Sequence, residues 1–293
     1  TLAGKLAGQG KKVAMIEKDA GMYGGTCINV GCIPSKSLVR SSGLAFNKKD
    51  ASLEERAADY EAAIDEKRRL TSMLREKNFK KLDDLANVDV YNGTASFVSN
   101  TVVEIKTSEE TLEIEGEKIF INTGGTPVIP PIKGLEGNPY VYTSAELMDL
   151  REYPKQLVIV GGGYIGLEFS SMYSGFGTKV TVLQDGEVLI PREDRDVAEA
   201  IQGVLENRGV TFKLGAQIQE IVRADGHARI KLTFKGQEEI LEADAVLIAT
   251  GRKPNTEGLR PERAGVELNR RGAVVVDDEL KTTADNIWAM GDV

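Results

Sequence analysis

One short stretch of this chain admits few folds. Gln156 to Val160 is an apolar run of strand length. Gly161, Gly163 and Gly166 follow at Gly-x-Gly-x-x-Gly spacing, and Tyr164 opens a helical stretch that closes near Gly175. Lys179 to Leu183 then reads as a second strand. The glycine pattern alone is weak. Between a strand and a helix it is strong: the glycines let the backbone approach a pyrophosphate held at the helix's positive end. The expected fold class is therefore α/β, with a parallel Rossmann-like layer.

Part of a second such unit stands at the start of the chain. Thr1 to Gly8 reads as a helix closed by Gly8-Gln9-Gly10, and Val13 to Ile16 as a buried strand ending at Glu17. An acid at that place usually holds a ribose hydroxyl, which makes Glu17 a binding candidate. The glycine loop expected ahead of such a strand is not in the sequence, so the chain reads as starting beyond it. Thr123-Gly124 after a strand at 118–122 is echoed by Thr250-Gly251 after Ala245–Ala249, an internal repeat of two nucleotide domains.

Between these landmarks, Leu53, Ala57, Tyr60, Ile64, Leu70 and Leu74 mark one long or two shorter helices over 51–86. Val88–Tyr91, Ala95–Val98 and Val102–Ile105 predict a small antiparallel meander. Pro127, Pro130, Pro131 and Pro139 mark a loop. Further strands are expected at Thr211–Leu214, Ile218–Arg223, Ala228–Phe234, Glu239–Glu242 and Ala273–Val276, with His227 exposed in a hairpin turn.

The chemistry should lie in 24–36, Gly-Gly-Thr-Cys-Ile-Asn-Val-Gly-Cys-Ile-Pro-Ser-Lys, which holds both cysteines of the 293 residues. Three readings compete for Cys27 and Cys32. A structural bridge over so short a loop contributes only about 2 kcal/mol. A zinc site lacks ligands, because His227 is the only histidine and is remote in sequence. A redox pair is favoured. It requires a bent backbone, since five residues of regular helix span about 7.5 Å, more than a bridge tolerates. The segment's glycines and Pro34 can supply the bend, and Pro34 suits a first helical turn, which sets Cys32 near that helix's positive end.

The net charge of −8 and pI near 5.1 speak against nucleic-acid partners. No apolar stretch has the length of a membrane span. Two cysteines without a disulfide framework fit a reducing compartment, so the cytoplasm is expected.

The cysteine segment resembles the active-site motif of the flavin-dependent pyridine nucleotide–disulfide oxidoreductases, which include dihydrolipoyl dehydrogenase, glutathione reductase and mercuric reductase. The resemblance implies that FAD and NADH or NADPH are bound. Electrons would pass from the nicotinamide through FAD to a Cys27–Cys32 disulfide and on to an oxidised substrate. Cys27 would exchange with substrate, Cys32 would face the flavin as a thiolate, and Lys36 would lie near the flavin's reactive nitrogen, paired with Glu168. Tyr164 resembles the gate over a nicotinamide pocket. Gly25, Thr26, Thr123 and Gly124 would belong to the FAD site, and Gly161, Gly163, Ile165, Gly166, Gln184 and Gly251 to the NAD(P) site.

Residues 283–292, Thr-Ala-Asp-Asn-Ile-Trp-Ala-Met-Gly-Asp, match the family's second FAD signature, with Asp292 toward the ribitol chain. Gln184, followed by Asp185, stands where an acid would favour NADH, and no arginine lies between Gln184 and Arg192. The reading leans to NADH. The implied domains are an FAD domain over 1–145 and 266–293 with an NAD(P) domain, 146–265, inserted. Met22-Tyr23, 75–79, 191–196 and 286–292 look like the bacterial reactive-chlorine-resistance flavoproteins, associated with copper(II) or hypothiocyanite reduction. The family's carboxyl-terminal dimerisation domain, with its acid–base histidine, is not in the sequence. A homodimeric whole protein and an inactive isolated fragment are therefore expected, as are a small-molecule or metal-ion oxidant as substrate and no resident metal. Dihydrolipoyl dehydrogenase, mercuric reductase and a non-catalytic flavin-binding sensor are the alternatives.

Overall fold

The computed structural model describes residues 2–293. In chain order the elements are α1 (Leu2–Gly8), β1 (Val13–Glu17), α2 (Gly25–Asn29), α3 (Cys32–Phe46), α4 (Leu53–Asp83), β2 (Val88–Asn92), β3 (Thr94–Phe97), β4 (Val102–Lys106), β5 (Thr111–Glu115), β6 (Ile119–Ile121), β7 (Gly125–Pro127) and β8 (Val141–Tyr142). They continue with α5 (Ser144–Leu147), β9 (Gln156–Val160), α6 (Tyr164–Gly175), β10 (Lys179–Gln184), α7 (Arg195–Glu206), β11 (Thr211–Leu214), β12 (Gln217–Arg223), β13 (Ala228–Phe234), β14 (Gln237–Ala243), β15 (Ala245–Ile248), β16 (Arg252–Pro254) and β17 (Ile287–Ala289).

The chain forms two compact units. One takes the residues up to Asn29 with Thr71–Thr126 and Arg252–Val293; the other takes Val30–Leu70 and Pro127–Gly251. Neither set of bounds coincides with 1–145, 146–265 or 266–293. Residues 30–70, with α3 and the first half of α4, group with the glycine-loop unit.

That second unit is built on a five-stranded sheet ordered β11-β10-β9-β15-β8. Its pairings are all parallel, with Val182 beside Ile159 and Leu247 beside Ile159 on the other side. Strands buried on both faces read as continuous apolar runs, and Leu157, Val158, Ile159 and Val160 are all buried. On one face Leu38 and Ala45 of α3, Tyr60 and Ile64 of α4, and Phe169, Met172 and Tyr173 of α6 join Ile159, Val180 and Val182 in one core. On the other lies the antiparallel sheet β12-β13-β14, through Ile221, Ile230 and Leu232. Helices α3 and α6 approach closely: a Cβ on Gly175 would lie 3.0 Å from Ser42 Cβ.

The first unit holds two parallel pairs, β1–β2 and β6–β17, and the antiparallel sheet β3-β4-β5. Here several expectations need correction. Val88–Tyr91 does not join the meander: β2 pairs in parallel with β1, from Val13 opposite Val88 to Glu17 opposite Asn92. The change of sheet falls at Gly93, where a Cβ would meet the Lys106 carbonyl oxygen at 2.8 Å. The meander's third strand is β5, and the charged stretch around Ser108 is its hairpin turn, closed by Thr107 N–H to Glu110 O at 2.9 Å. Ala273–Val276 is not a strand; only single bridges, Leu268 to Val274 and Val276 to Thr282, hold it. Val13–Ile16 is only partly buried. His227 sits in the expected turn but is three-quarters buried, with Nε2 3.3 Å from Glu242 Oε1 across the hairpin.

Candidate redox and dinucleotide site

Strand order in the parallel sheet reverses between β9 and β15, and ligands of open α/β sheets bind beyond the carboxyl ends of strands at such a point. The predicted glycines lie there. Gly166 packs against the Gly161 carbonyl oxygen so closely that any side chain would strike it. Gly163 is the N-cap of α6 and makes no side-chain cap. A Cβ on it would meet nothing within 4 Å. The first-turn amides of α6 are thus left for an outside acceptor, and a pyrophosphate fits. Tyr164 and Ile165 form that first turn. Tyr164 is 59% exposed, and its hydroxyl donates to the Glu193 carboxylate, which raises the phenol above its ordinary value. Gly251 follows β15, with open space where a Cβ would stand.

Gln184 ends β10, but its amide turns back onto the glycine loop. Oε1 accepts from Gly162 N–H at 2.7 Å, and Nε2 donates to Asp185 Oδ1 at 3.0 Å. Asp185 Oδ1 also accepts from Gly186 N–H at 2.8 Å.

The cysteine segment is bent as expected and forms two helices. Gly24 (φ +92°) and Gly25 (φ +77°) make the turn into α2, which carries Thr26 and Cys27. Gly24 has a second constraint, since a Cβ there would lie 2.8 Å from Ile28 Cδ1. Gly31 caps α3, whose first residue is Cys32, with Pro34 buried in its first turn. Both cysteines are exposed to solvent. One turn beyond Cys32, the Lys36 ammonium donates to the Glu168 carboxylate on α6. Lys36 is 67% and Glu168 31% exposed. So exposed a pair adds little stability, about 0–1 kcal/mol.

In the first unit, Thr123–Gly125 and Gly291–Asp292 follow the paired strands β6 and β17. A Cβ on Gly125 would lie 3.3 Å from the Asp292 carbonyl oxygen, and one on Gly124 3.9 Å from Thr26 Oγ1. Thr123 Oγ1 donates to Asn255 O at 2.8 Å, and Asn255 N–H donates to Gly124 O at 2.8 Å. Thr26, Gly124 and Asp292 are thereby gathered around glycine backbone that a flavin nucleotide could approach. Glu17 ends β1, opposite Asn92, with Oε1 accepting from Asp19 N–H at 3.1 Å. Asn29, Arg75 and Glu193 lie inside 24–36, 75–79 and 191–196, stretches that carry the resemblance, and that place is their only signal in the sequence. Among the described residues no group of three or more His, Cys, Asp or Glu could hold a metal ion. No described helix is long and apolar enough to cross a membrane.

A family model described as pyridine nucleotide-disulphide oxidoreductase matches residues 1–293. The chain belongs to this family, which works with FAD and NAD(P)H. It is similar to the probable pyridine nucleotide-disulfide oxidoreductase RclA of Escherichia coli (strain K12), 47% identical over 100% of this chain and 63% of that protein. It is also similar to a mercuric reductase of Lysinibacillus sphaericus, 35% identical over 97% of this chain and 52% of that protein. A solved structure, the Cu(II) complex of the HOCl-induced flavoprotein disulfide reductase RclA from Escherichia coli, superposes with a TM-score of 0.89 at 46% identity, covering 99% of this chain and 62% of that one. The chain thus spans less than two thirds of the length of these relatives.

Proposed function

We propose that the chain is the nucleotide-binding and disulfide-bearing part of an enzyme that takes electrons from NAD(P)H, through FAD, to the Cys27–Cys32 pair and on to an oxidised substrate. The observation that carries this reading is the Lys36–Glu168 ion pair. It ties the helix begun by Cys32 to the helix whose first turn is the dinucleotide loop, in one compact unit.

FAD would supply the hydride-accepting chemistry between nicotinamide and dithiol. The chain's own residues do the rest. The amides beyond Gly163 hold the pyrophosphate, with Gly161, Ile165, Gly166 and Gly251 shaping the crevice. Tyr164 covers the nicotinamide pocket. Gly25, Thr26, Thr123, Gly124 and Asp292 hold the flavin nucleotide, and Glu17 its ribose. Lys36 and Glu168 keep a fixed charge pair beside the nicotinamide. Two electrons and one proton would open the disulfide to a thiol on Cys27 and a thiolate on Cys32. Cys27 then gives up its proton as it engages the oxidised substrate, and the Cys27–Cys32 bond re-forms as both electrons pass to one two-electron oxidant or to two copper(II) ions.

The solved relative, an HOCl-induced enzyme in complex with Cu(II), supports copper(II) or a hypohalous product as oxidant. The whole protein is proposed to act as a cytoplasmic homodimer. The mercuric reductase similarity supports a second reading, in which mercury(II) is reduced. The test is anaerobic NADH or NADPH added to the full-length protein, followed by thiol alkylation and, separately, by a copper(I) chelator. Both cysteines should become alkylatable only after reduction, and copper(I) should accumulate catalytically. Efficient dihydrolipoamide oxidation by NAD without copper or hypothiocyanite reduction would move the assignment to a lipoyl dehydrogenase.

A further inference from the structure

The buried amide of Asn29 sits between the two cysteines in sequence and is fully engaged. Nδ2 donates to Tyr23 O and to Gly25 O, both at 2.9 Å, and so closes the turn onto α2. Oδ1 accepts from Arg75 Nε at 2.8 Å. Arg75 lies on α4, within the part that belongs to the same compact unit as α2.

An amide can be turned over with little change in shape, so its orientation is set by its partners. Turned over, Asn29 would set an NH2 against a guanidinium N–H and a carbonyl against two carbonyls. The Arg75 donor forbids that arrangement. The same helix face holds the turn in two further ways. The Phe79 ring lies 4.7 Å, centroid to centroid, from Tyr23. Asn78 Cγ would stand 3.3 Å from a Cβ on Gly24, so only glycine lets the turn come this close to α4. Tyr23 is pinned at its other end, where its hydroxyl donates to Asn92 Oδ1 at 2.5 Å.

We infer that Arg75 is a positioning residue for the redox pair: its Nε–H orients the Asn29 amide, which fixes the turn and helix carrying Cys27. This rests on Cys27 being the exchange thiol. The clamp acts through order: it fixes the turn and helix that carry Cys27, so that less conformational freedom is lost when the disulfide forms. Without it the effective concentration of the thiol falls. A charge-assisted hydrogen bond of this kind is worth enough to change that equilibrium about tenfold, equivalent to about 30 mV for a two-electron couple.

The experiment is a glutathione redox titration of the full-length protein, read by thiol trapping and mass spectrometry of the Cys27–Cys32 peptide, for wild type, Arg75→Met, Arg75→Lys, Asn29→Ala and the Arg75→Met/Asn29→Ala double variant. Each single variant should shift the dithiol–disulfide equilibrium about tenfold toward the dithiol, and the double variant no further. Arg75→Lys keeps stem and charge but loses the fixed Nε donor, so it should shift as Arg75→Met does; it also carries the test should Arg75→Met not fold. An unshifted Arg75→Lys would overturn the hydrogen-bond mechanism. Wild-type potentials in folded variants, or additive shifts in the double variant, would overturn the positioning role. A wild-type protein that forms no Cys27–Cys32 disulfide sinks the proposed function instead, so the two failures are distinguishable.

Discussion

Gln184 occupies the place where a carboxylate or an arginine would commit a dinucleotide site to one nicotinamide cofactor, and it carries no charge. Its amide is engaged with Gly162 N–H and Asp185, so it braces the loop. A glutamate there would keep the acceptor for Gly162 and add a negative charge where a 2′-phosphate would sit. At a few ångströms such repulsion is worth about 1 kcal/mol or more. Gln184→Glu should therefore weaken NADPH binding roughly five- to tenfold relative to NADH, measured by calorimetric titration. Equal weakening of both would mean that the bracing, not the charge, matters. Tyr164 gives a second residue-scale outcome. Its phenol is raised because the neutral hydroxyl donates to Glu193 and the phenolate would face that carboxylate. In Glu193→Gln the phenol should titrate nearer its ordinary value of about 10, seen as an alkaline ultraviolet difference against wild type. An unchanged titration curve would show the contact absent in solution.

Element-scale behaviour centres on α4, a helix of 31 residues whose sequence is largely charged. What fixes its first half is a polar clamp beside the apolar stripe. Lys67, 4% exposed, places Nζ 2.5 Å from Asp149 Oδ1 in the turn after α5, and Arg68 Nε lies 3.1 Å from the same oxygen. Burial alone would push Asp149 up, but the two cations outweigh it and hold the carboxyl below the usual range. Its folded-state value is thus lower than its unfolded one. The stabilisation is complete above about pH 3.9 and is lost as pH falls through the depressed value. Asp149→Asn should cost about 1–3 kcal/mol at pH 7, toward the lower end because Asp149 is 58% exposed. Urea denaturation should find this gap closing in strong acid; a gap constant with pH would exclude the charge as its origin. The stripe Tyr60, Ile64 predicted this helix, since period and burial agree. The clamp was not legible, because Lys67 looks like any solvated lysine until Asp149, 82 residues on, is brought to it.

At the scale of the whole molecule, the same division separates what the sequence disclosed from what it did not. Gly161, Gly163 and Gly166 are local signals: strand, turn and helix are consecutive, so period and spacing suffice. The cysteine turn and Lys36 were legible through the motif's length. Strand partners were not, because alternation in Val88–Asn92 is the same whether it pairs with β1 or with β3. Nor were unit bounds, since compactness is decided by contacts remote in sequence. Residues 30–70 are the clearest case. Leu38, Tyr60 and Ile64 are at most 1% exposed and share one core with α6 and the parallel sheet, although they precede β9 by about a hundred residues. Each such side chain contributes roughly 1.5–3 kcal/mol by burial, and a domain's whole stability is only about 5–15 kcal/mol. A chain of residues 127–251 alone, although it holds the complete glycine loop and all five parallel strands, should therefore fail to fold cooperatively. It should bind a hydrophobic dye and exchange its β9 amides fast. Joining residues 30–70 to it through a flexible linker should restore a cooperative urea transition and slow those amides. Cooperative unfolding of 127–251 by itself, with protected β9 amides, would show that the sheet and α6 close their core without α3 and α4.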